Sequence, residues 1–228
     1  MAAHRNQPNL STGVFGISDV ARYADVPIST VRSWFRGRAD GLRRGQLLDS
    51  DYGIVCDRYV VSFLDLIDAL VAGRFRGLGV SMPTVRRAQS VLQQQLGQEH
   101  PFCLNRFLTD GKRIILRELD KIGCEDLRDA VNGQRWFERF KEVLHHVDYD
   151  TATSGLAHRW RIKKGVVIDP KLSRGRPVVE GTGVTTFVLS NAFDANDRDA
   201  ELVAGMFGVS TDAVRNAVSF EASIRHAA

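Results

Sequence analysis

The side chains of this chain that could do chemistry are mostly cations. The stretch "ADVPISTVRSWFRG", residues 24–37, sets Arg32 and Arg36 four apart, on one face of a helix, with Ser29, Thr30 and Ser33 on the same surface. Arg38, Arg43 and Arg44 follow at once. Arginines and small hydroxyls suit phosphate oxygens and the edges of bases in a major groove. No paired carboxylates, nucleophile-base pairing or glycine loop ending in Gly-Lys-Ser/Thr accompanies them, so no enzyme is expected. The glycines of "VVIDPKLSRGRPVVEGTGVTT" read as turns in an extended arm.

Metal chemistry has little support in the linear pattern. Cys56, Cys103 and Cys124 are few, odd in number and far apart, with neither a disulfide framework nor metal-ligand spacing. They read as buried thiols of a reducing cytoplasm. His145 and His146 are neighbours in "RWFERFKEVLHHV", read as an amphipathic helix, where they face different directions without a carboxylate or cysteine companion. A surface or interface role is expected of them, and no metal or cofactor.

The elements that must position the arginines follow from the pattern around them. In "GISDVARYADV" Ser18 reads as an N-cap, with Ile17, Val20, Ala21 and Ala24 at helical spacing. Pro27 breaks that helix, Ser29 can cap the next, and Val31 with Trp34 or Phe35 faces inward before Gly37 stops it. Two short helices joined by a tight turn make a helix-turn-helix. The next stretch, "LRRGQLLDSDYGIVCDRYVVSF", reads as a wing-like hairpin. Two helices then place Leu64, Ile67, Leu70 and Val71 on one face, and Val85, Ala88, Val91 and Leu92 on another.

That order resembles the winged helix-turn-helix domain of MerR-type regulators over about residues 14–96. "STVRSW", Arg58 with Tyr59, and "GLGVSMPTVRRA" carry the resemblance. It implies DNA contacts from Ser29, Thr30, Arg32, Ser33, Arg36, Arg38, Arg43, Arg44, Arg58 and Tyr59. The loop before Arg58 is longer than usual in that family, and no long dimerising coiled coil follows. Arg86 and Arg87, in the second Val-Arg echo, read as a solvated helix face.

Charge divides the chain. Residues 31–44 hold five arginines against Asp40 alone, and residues 151–177 hold seven cations against Asp169. From Val178 onward there are three arginines and seven carboxylates. A basic front suits a polyanion and an acidic rear does not, so the two ends are expected to face different partners. In the third echo, "FGVSTDAVRNAV", Glu201, Asp212 and Glu221 are expected to surround Arg215 and turn it toward protein contact.

The rear carries a second resemblance, through Asp169, Pro170, Gly175, Pro177, Val178, Val179, Gly181 and Thr182, followed by three helical stretches. It is similar to the small domain of VapB-type antitoxins, which accompany PIN-type ribonuclease toxins. Where that pattern has an arginine after the threonine, this chain has Gly183. The resemblance implies an antitoxin that masks such a toxin and autoregulates its operon. Basic side chains on arms or chain ends, Arg174, Arg176 and Arg225, are the candidates for reaching the toxin's acidic centre.

The expected fold is mainly α with small β elements: a winged helix-turn-helix plus a second small helical helix-turn-helix-like domain. The expected division is a tail at 1–13, the DNA-binding domain at 14–100, a β-hairpin and helical connection at 101–164, and the antitoxin domain at 165–228. Within the connection, "LNRFLTDGKRIILREL" reads as a hairpin and "LAHRWRIKKG" as a basic linker. A cytoplasmic homodimer that binds operator DNA is expected, because the polar start lacks a secretory pattern and no apolar run could span a bilayer. The alternative is a stand-alone MerR-like transcriptional regulator whose middle region responds to a ligand.

Overall fold

Phe15 and Gly16 form a two-residue strand, β1, and the chain turns directly into helix α1, Ile17–Ala24. In the computed structural model, residues 12–36, 46–77, 79–107 and 144–225 are described. Helix α1 is capped one residue pair earlier than expected: the Gly16 N–H donates to Asp19 Oδ2 at 2.9 Å, and Ser18 lies inside the helix. Its buried residues are Ile17, Val20, Ala21 and Ala24, the four that the spacing singled out. Asp25, at φ 55°, closes it, and α2 spans Ile28–Arg36. Pro27 O accepts from the N–H groups of Thr30 and Val31, so Pro27 opens α2 and Ser29 sits within it. Both Trp34 and Phe35 are buried, together with Val31.

Strands β2 (Gly53–Val55) and β3 (Arg58–Val61) form a hairpin where the sequence placed one. Its two-residue turn, Cys56–Asp57, has positive φ at both positions, 47° and 60°, which matches the twist of a tight hairpin. The sheet order is β1-β3-β2, antiparallel. Ser62 then starts α3 (Phe63–Gly77) by reciprocal capping: Asp65 N–H donates to Ser62 Oγ, and Ser62 N–H donates to Asp65 Oδ2. Helix α4 runs Met82–Leu96 and ends at Gly97, whose φ is 65°. A short 3-10 turn, Pro101–Cys103, folds back against α3.

A second antiparallel sheet, ordered β4-β5-β6-β7, joins Val147–Tyr149, Ala157–Lys163, Val166–Ile168 and Val178–Val179. The stretch expected as a basic linker is therefore β5, inside this sheet, with Trp160 buried. Arg159 and Arg161 alternate with Trp160 and pair with Asp148 and Glu180 at 2.7–3.1 Å, so these two cations already have carboxylate partners. The expected boundary at residue 165 falls in the turn between β5 and β6, two strands of one sheet. Most of the expected hairpin at 104–119 and of the helix at 135–147 lies outside the described residues. His145 and His146 are exposed in the turn between Leu144 and β4, not on a helix.

Three helices complete the chain: α5 (Thr186–Ala195), α6 (Ala200–Phe207) and α7 (Thr211–Arg225). Thr185 and Asp199 cap the first two through their side chains, and Gly208 at φ 65° ends α6. Leu189, Val203, Val214 and Ala217 make a small core of their own, closed by Val179. The larger core packs α1, α2 and α3 against the 3-10 turn and reaches Trp160 and Ile168 of the second sheet. Phe220 and Ile224 of α7 cover Val166, with Tyr23 of α1 packed against them. Front and rear thus share a seam.

Candidate functional site

The outer face of α2 is set by what its inner face buries. With Val31, Trp34 and Phe35 turned into the core, Ser29, Arg32 and Arg36 are left exposed. Thr30 and Ser33 are half-buried and locally engaged: Arg76 Nη1 donates to Thr30 Oγ1 at 2.8 Å, and Ser33 Oγ donates to Thr30 O at 2.7 Å. The Arg36 guanidinium lies 5.2 Å from the centre of the Tyr59 ring, a cation–π contact that joins α2 to the hairpin. Arg58 is exposed at the start of β3. Arg38, Arg43 and Arg44 lie outside the described residues.

Tyr59 corrects the sequence expectation. It is 7% exposed, and its hydroxyl donates to Phe35 O at 2.8 Å. A phenol spent on the last turn of α2 braces the helix and is not free to touch a nucleic acid. Arg86, expected as a solvated position, donates through Nε to Gln46 O at 2.9 Å and anchors the segment entering the hairpin.

The rear candidates sit in the connection between sheet and helices. Arg174 is exposed in a tight turn at φ 61°, and its backbone O accepts from Val14 N–H at 3.2 Å. Arg176 is exposed at the rim of a cleft of about 360 Å³ that also takes in Asp19, Arg22, Tyr23, Thr186 and Glu221. Burial pushes the Tyr23 phenol far up, keeping it neutral. Arg225 is exposed at the end of α7. Arg215 pairs with Asp212 at 3.4 Å, but Glu221 does not join them, because it is buried and accepts from Thr186 Oγ1 at 2.5 Å.

One cluster escaped the sequence reading. Asp65 and Asp68 of α3 are buried, 1% and 3% exposed, beside the apolar face that the pattern picked out. His100 bridges two carboxylates, with Nδ1 2.8 Å from Asp68 Oδ2 and Nε2 3.1 Å from Asp51 Oδ1. Cys103 donates from Sγ to Asp68 Oδ1 at 3.4 Å. Burial alone would lower the imidazole pKa, but its hydrogen bonds to Asp51 and Asp68 outweigh that and raise it to about 11. Burial pushes the Asp65 carboxyl up to about 7, with the Asp51 charge adding to the rise, and pushes the Cys103 thiol well up. The available signal was the His100-x-x-Cys103 spacing together with two aspartates among the apolar residues of the first half of α3. Cys56, by contrast with the buried thiol expected, is exposed at the hairpin turn.

Seven helices and two small antiparallel sheets among the described residues define a mixed α and β protein with a paired-helix front and a three-helix rear. No protein-family model matches the chain. It is a distant homologue of a Mycobacterium tuberculosis (strain ATCC 25618 / H37Rv) protein named "Putative antitoxin VapB45", 26% identical over 226 residues, covering 90% of this chain and 92% of that one. The crystal structure of Rv2018 from Mycobacterium tuberculosis has the same fold, with a TM-score of 0.73 at 24% identity over 94% of this chain and 99% of that one. No helix among the described residues is long and apolar enough to cross a membrane.

Proposed function

We propose that this chain is an antitoxin that binds operator DNA through α2 and the adjoining hairpin, and masks a PIN-type ribonuclease toxin through its rear. The observation that carries the reading is the similarity to VapB45, because it runs through front and rear alike and not through one module. The exposed row of Ser29, Arg32 and Arg36 supports the DNA half. A helix-turn-helix presents the first residues of its second helix to base edges, and Arg32 lies one turn into α2. Arg58, exposed beside the Cys56–Asp57 turn at the tip of the hairpin, is the candidate for a flanking phosphate.

The toxin half rests on the Asp169–Pro170 to Gly181–Thr182 resemblance and on exposed cations beside an acidic rear. A nuclease gathers carboxylates around its metal, so an inserted guanidinium is a fitting block. Arg174, Arg176 and Arg225 are exposed and so able to reach such a cleft. No step of this function makes or breaks a covalent bond in this chain, so the reading is of a binding protein. The test is co-expression with the product of the neighbouring reading frame. Co-purification of a ribonuclease whose activity is suppressed, together with a gel shift on the upstream DNA, is the expected outcome. Free ribonuclease activity in the presence of excess chain would sink the toxin half.

A further inference from the structure

We infer that Asp68, His100 and Cys103 form a binding site for a divalent transition-metal ion of the zinc class, with Asp51 holding the imidazole from behind. The three donor atoms come from two places in the chain. Asp68 is on α3, while His100 caps and Cys103 ends the 3-10 turn that packs on α3. All three lie within 4.8 Å of one another, near the spread that a single tetrahedral ion would gather. Asp68 marks the point of convergence, since one of its oxygens lies 3.4 Å from Cys103 Sγ, whose thiol also faces Leu64 O at 3.2 Å, and the other faces His100 Nδ1.

The exchange balances. On binding, the Cys103 thiol and the His100 Nδ1 each release one proton, and one M²⁺ replaces both, so the net charge of the cluster is unchanged. His100 keeps its Nε2 proton and donates it to Asp51 Oδ1, the carboxylate–histidine arrangement that orients an imidazole ligand and raises its basicity. One carboxylate, one imidazole and one thiolate are a donor set that suits Zn²⁺ better than Mg²⁺ or Ca²⁺, which take oxygen ligands.

A second observation points the same way. Asp65 Oδ1 is buried with no hydrogen-bond partner among the described residues, while its Oδ2 accepts from the Asp51 and Ser62 N–H groups. An orphaned carboxylate oxygen beside Asp51 and Asp68 is costly in a metal-free interior, and a nearby dication offsets it. The site would staple the root of the hairpin to α3, because Asp51 is followed within two residues by β2.

The test uses the full chain, stripped with a chelator and titrated with Co²⁺. A near-ultraviolet thiolate-to-cobalt absorption is expected, with visible bands of a four-coordinate ion, saturating at about one ion per chain. Zn²⁺ should then abolish the bands and raise the melting temperature of the stripped protein. A variant carrying Cys56→Ser and Cys124→Ser, in which Cys103 is the one remaining thiol, should keep the thiolate band. Cys103→Ser should lose it, and Asp51→Asn should weaken Co²⁺ by about 10–100-fold while retaining it. Absence of the thiolate band from the wild type or from the single-thiol variant overturns the inference. So does its persistence in Cys103→Ser.

Discussion

Arg32 and Tyr59 were both expected to face DNA, and the structure separates them. Arg32 is exposed on the outer face of α2, whereas the Tyr59 hydroxyl is committed to Phe35 O. Their variants should therefore fail in different assays. Arg32→Ala should weaken operator binding by about 1–3 kcal/mol and relax discrimination at one base pair, as expected for a base-reading arginine. Unchanged operator affinity in a gel-shift titration would show that α2 is not docked that way. Arg58→Ala should lower affinity for operator and random DNA alike and flatten the salt dependence. Tyr59→Phe should leave base preference intact and cost about 1 kcal/mol in a urea melt, the worth of one buried hydrogen bond. A change of preferred operator in Tyr59→Phe, with no loss of stability, would return the phenol to the DNA.

At the scale of elements, the parts with strong local punctuation were readable. Pro27, the apolar positions of α1 and α2, and the β-branched run after Asp57 placed the paired helices and the hairpin close to where they lie. The caps slipped because Ser18 and Ser29 are good capping residues in isolation, yet Asp19 and Pro27 reach the orphan N–H groups first. The sheet of β4 to β7 was hidden for a different reason. Arg159, Arg161 and Lys163 alternate with apolar residues along β5, a strand pattern that cation density made look like a linker. The partners of the two arginines, Asp148 and Glu180, stand 11 and 21 residues from Arg159, beyond any local pattern. The acidic cluster left only the His100-x-x-Cys103 spacing and two aspartates as a trace, because Asp65 and Asp68 are polar by type and buried by tertiary packing.

Gly73 shows how tightly these elements are fitted. A Cβ at that position of α3 would stand 2.7 Å from Val26 Cγ2, in the turn between α1 and α2. Gly73→Ala gains up to about 1 kcal/mol of helix propensity, but overpacking costs about 1–3 kcal/mol, so net destabilisation is expected. A higher melting temperature in Gly73→Ala would show that the turn yields freely. Because Thr30 is bonded to Arg76 across the same junction, a displaced turn should also lower operator affinity.

The whole molecule is less divisible than its charge pattern implies. Gly175, at φ 84°, packs so closely on Phe15 that a Cβ would stand 2.5 Å from the ring. Gly175→Ala should cost about 2–4 kcal/mol, from the left-handed backbone and the overpacked ring together. It should lower the melting transition of the full chain as one event if front and rear unfold together. Two separated transitions, with the first unaltered, would mean that the seam carries little coupling.

Association belongs to the same scale. Leu202 and Met206 are 51% and 59% exposed, one turn apart on α6, and no coiled coil lies among the described residues. An apolar pair on a polar surface fits a contact between copies, and paired half-sites require one. Leu202→Glu with Met206→Glu should turn a dimer into a monomer by light scattering while leaving the fold intact. An unchanged mass would move the contact elsewhere.

Toxin masking also has to be tested without breaking the seam. Deleting residues 165–228 would strip β6 from β5, uncover Trp160, and remove Phe220 and Ile224 from Tyr23, so loss of function in that fragment would report unfolding. The exposed cations offer a cleaner cut. Arg174 and Arg176 bring positive charge to the surface from a short turn, while α5, α6 and α7 carry most of the rear's carboxylates. A carboxylate-lined nuclease cleft would attract the first and repel the second. Arg174→Ala with Arg176→Ala should therefore reduce protection of cells expressing the toxin and leave the melting temperature and operator affinity near those of the parent. Arg225→Ala asks the same of the end of α7, which approaches from another direction. Full protection by the triple variant, with wild-type binding to purified toxin, would assign the masking surface to the exposed apolar residues of α5 and α6 instead.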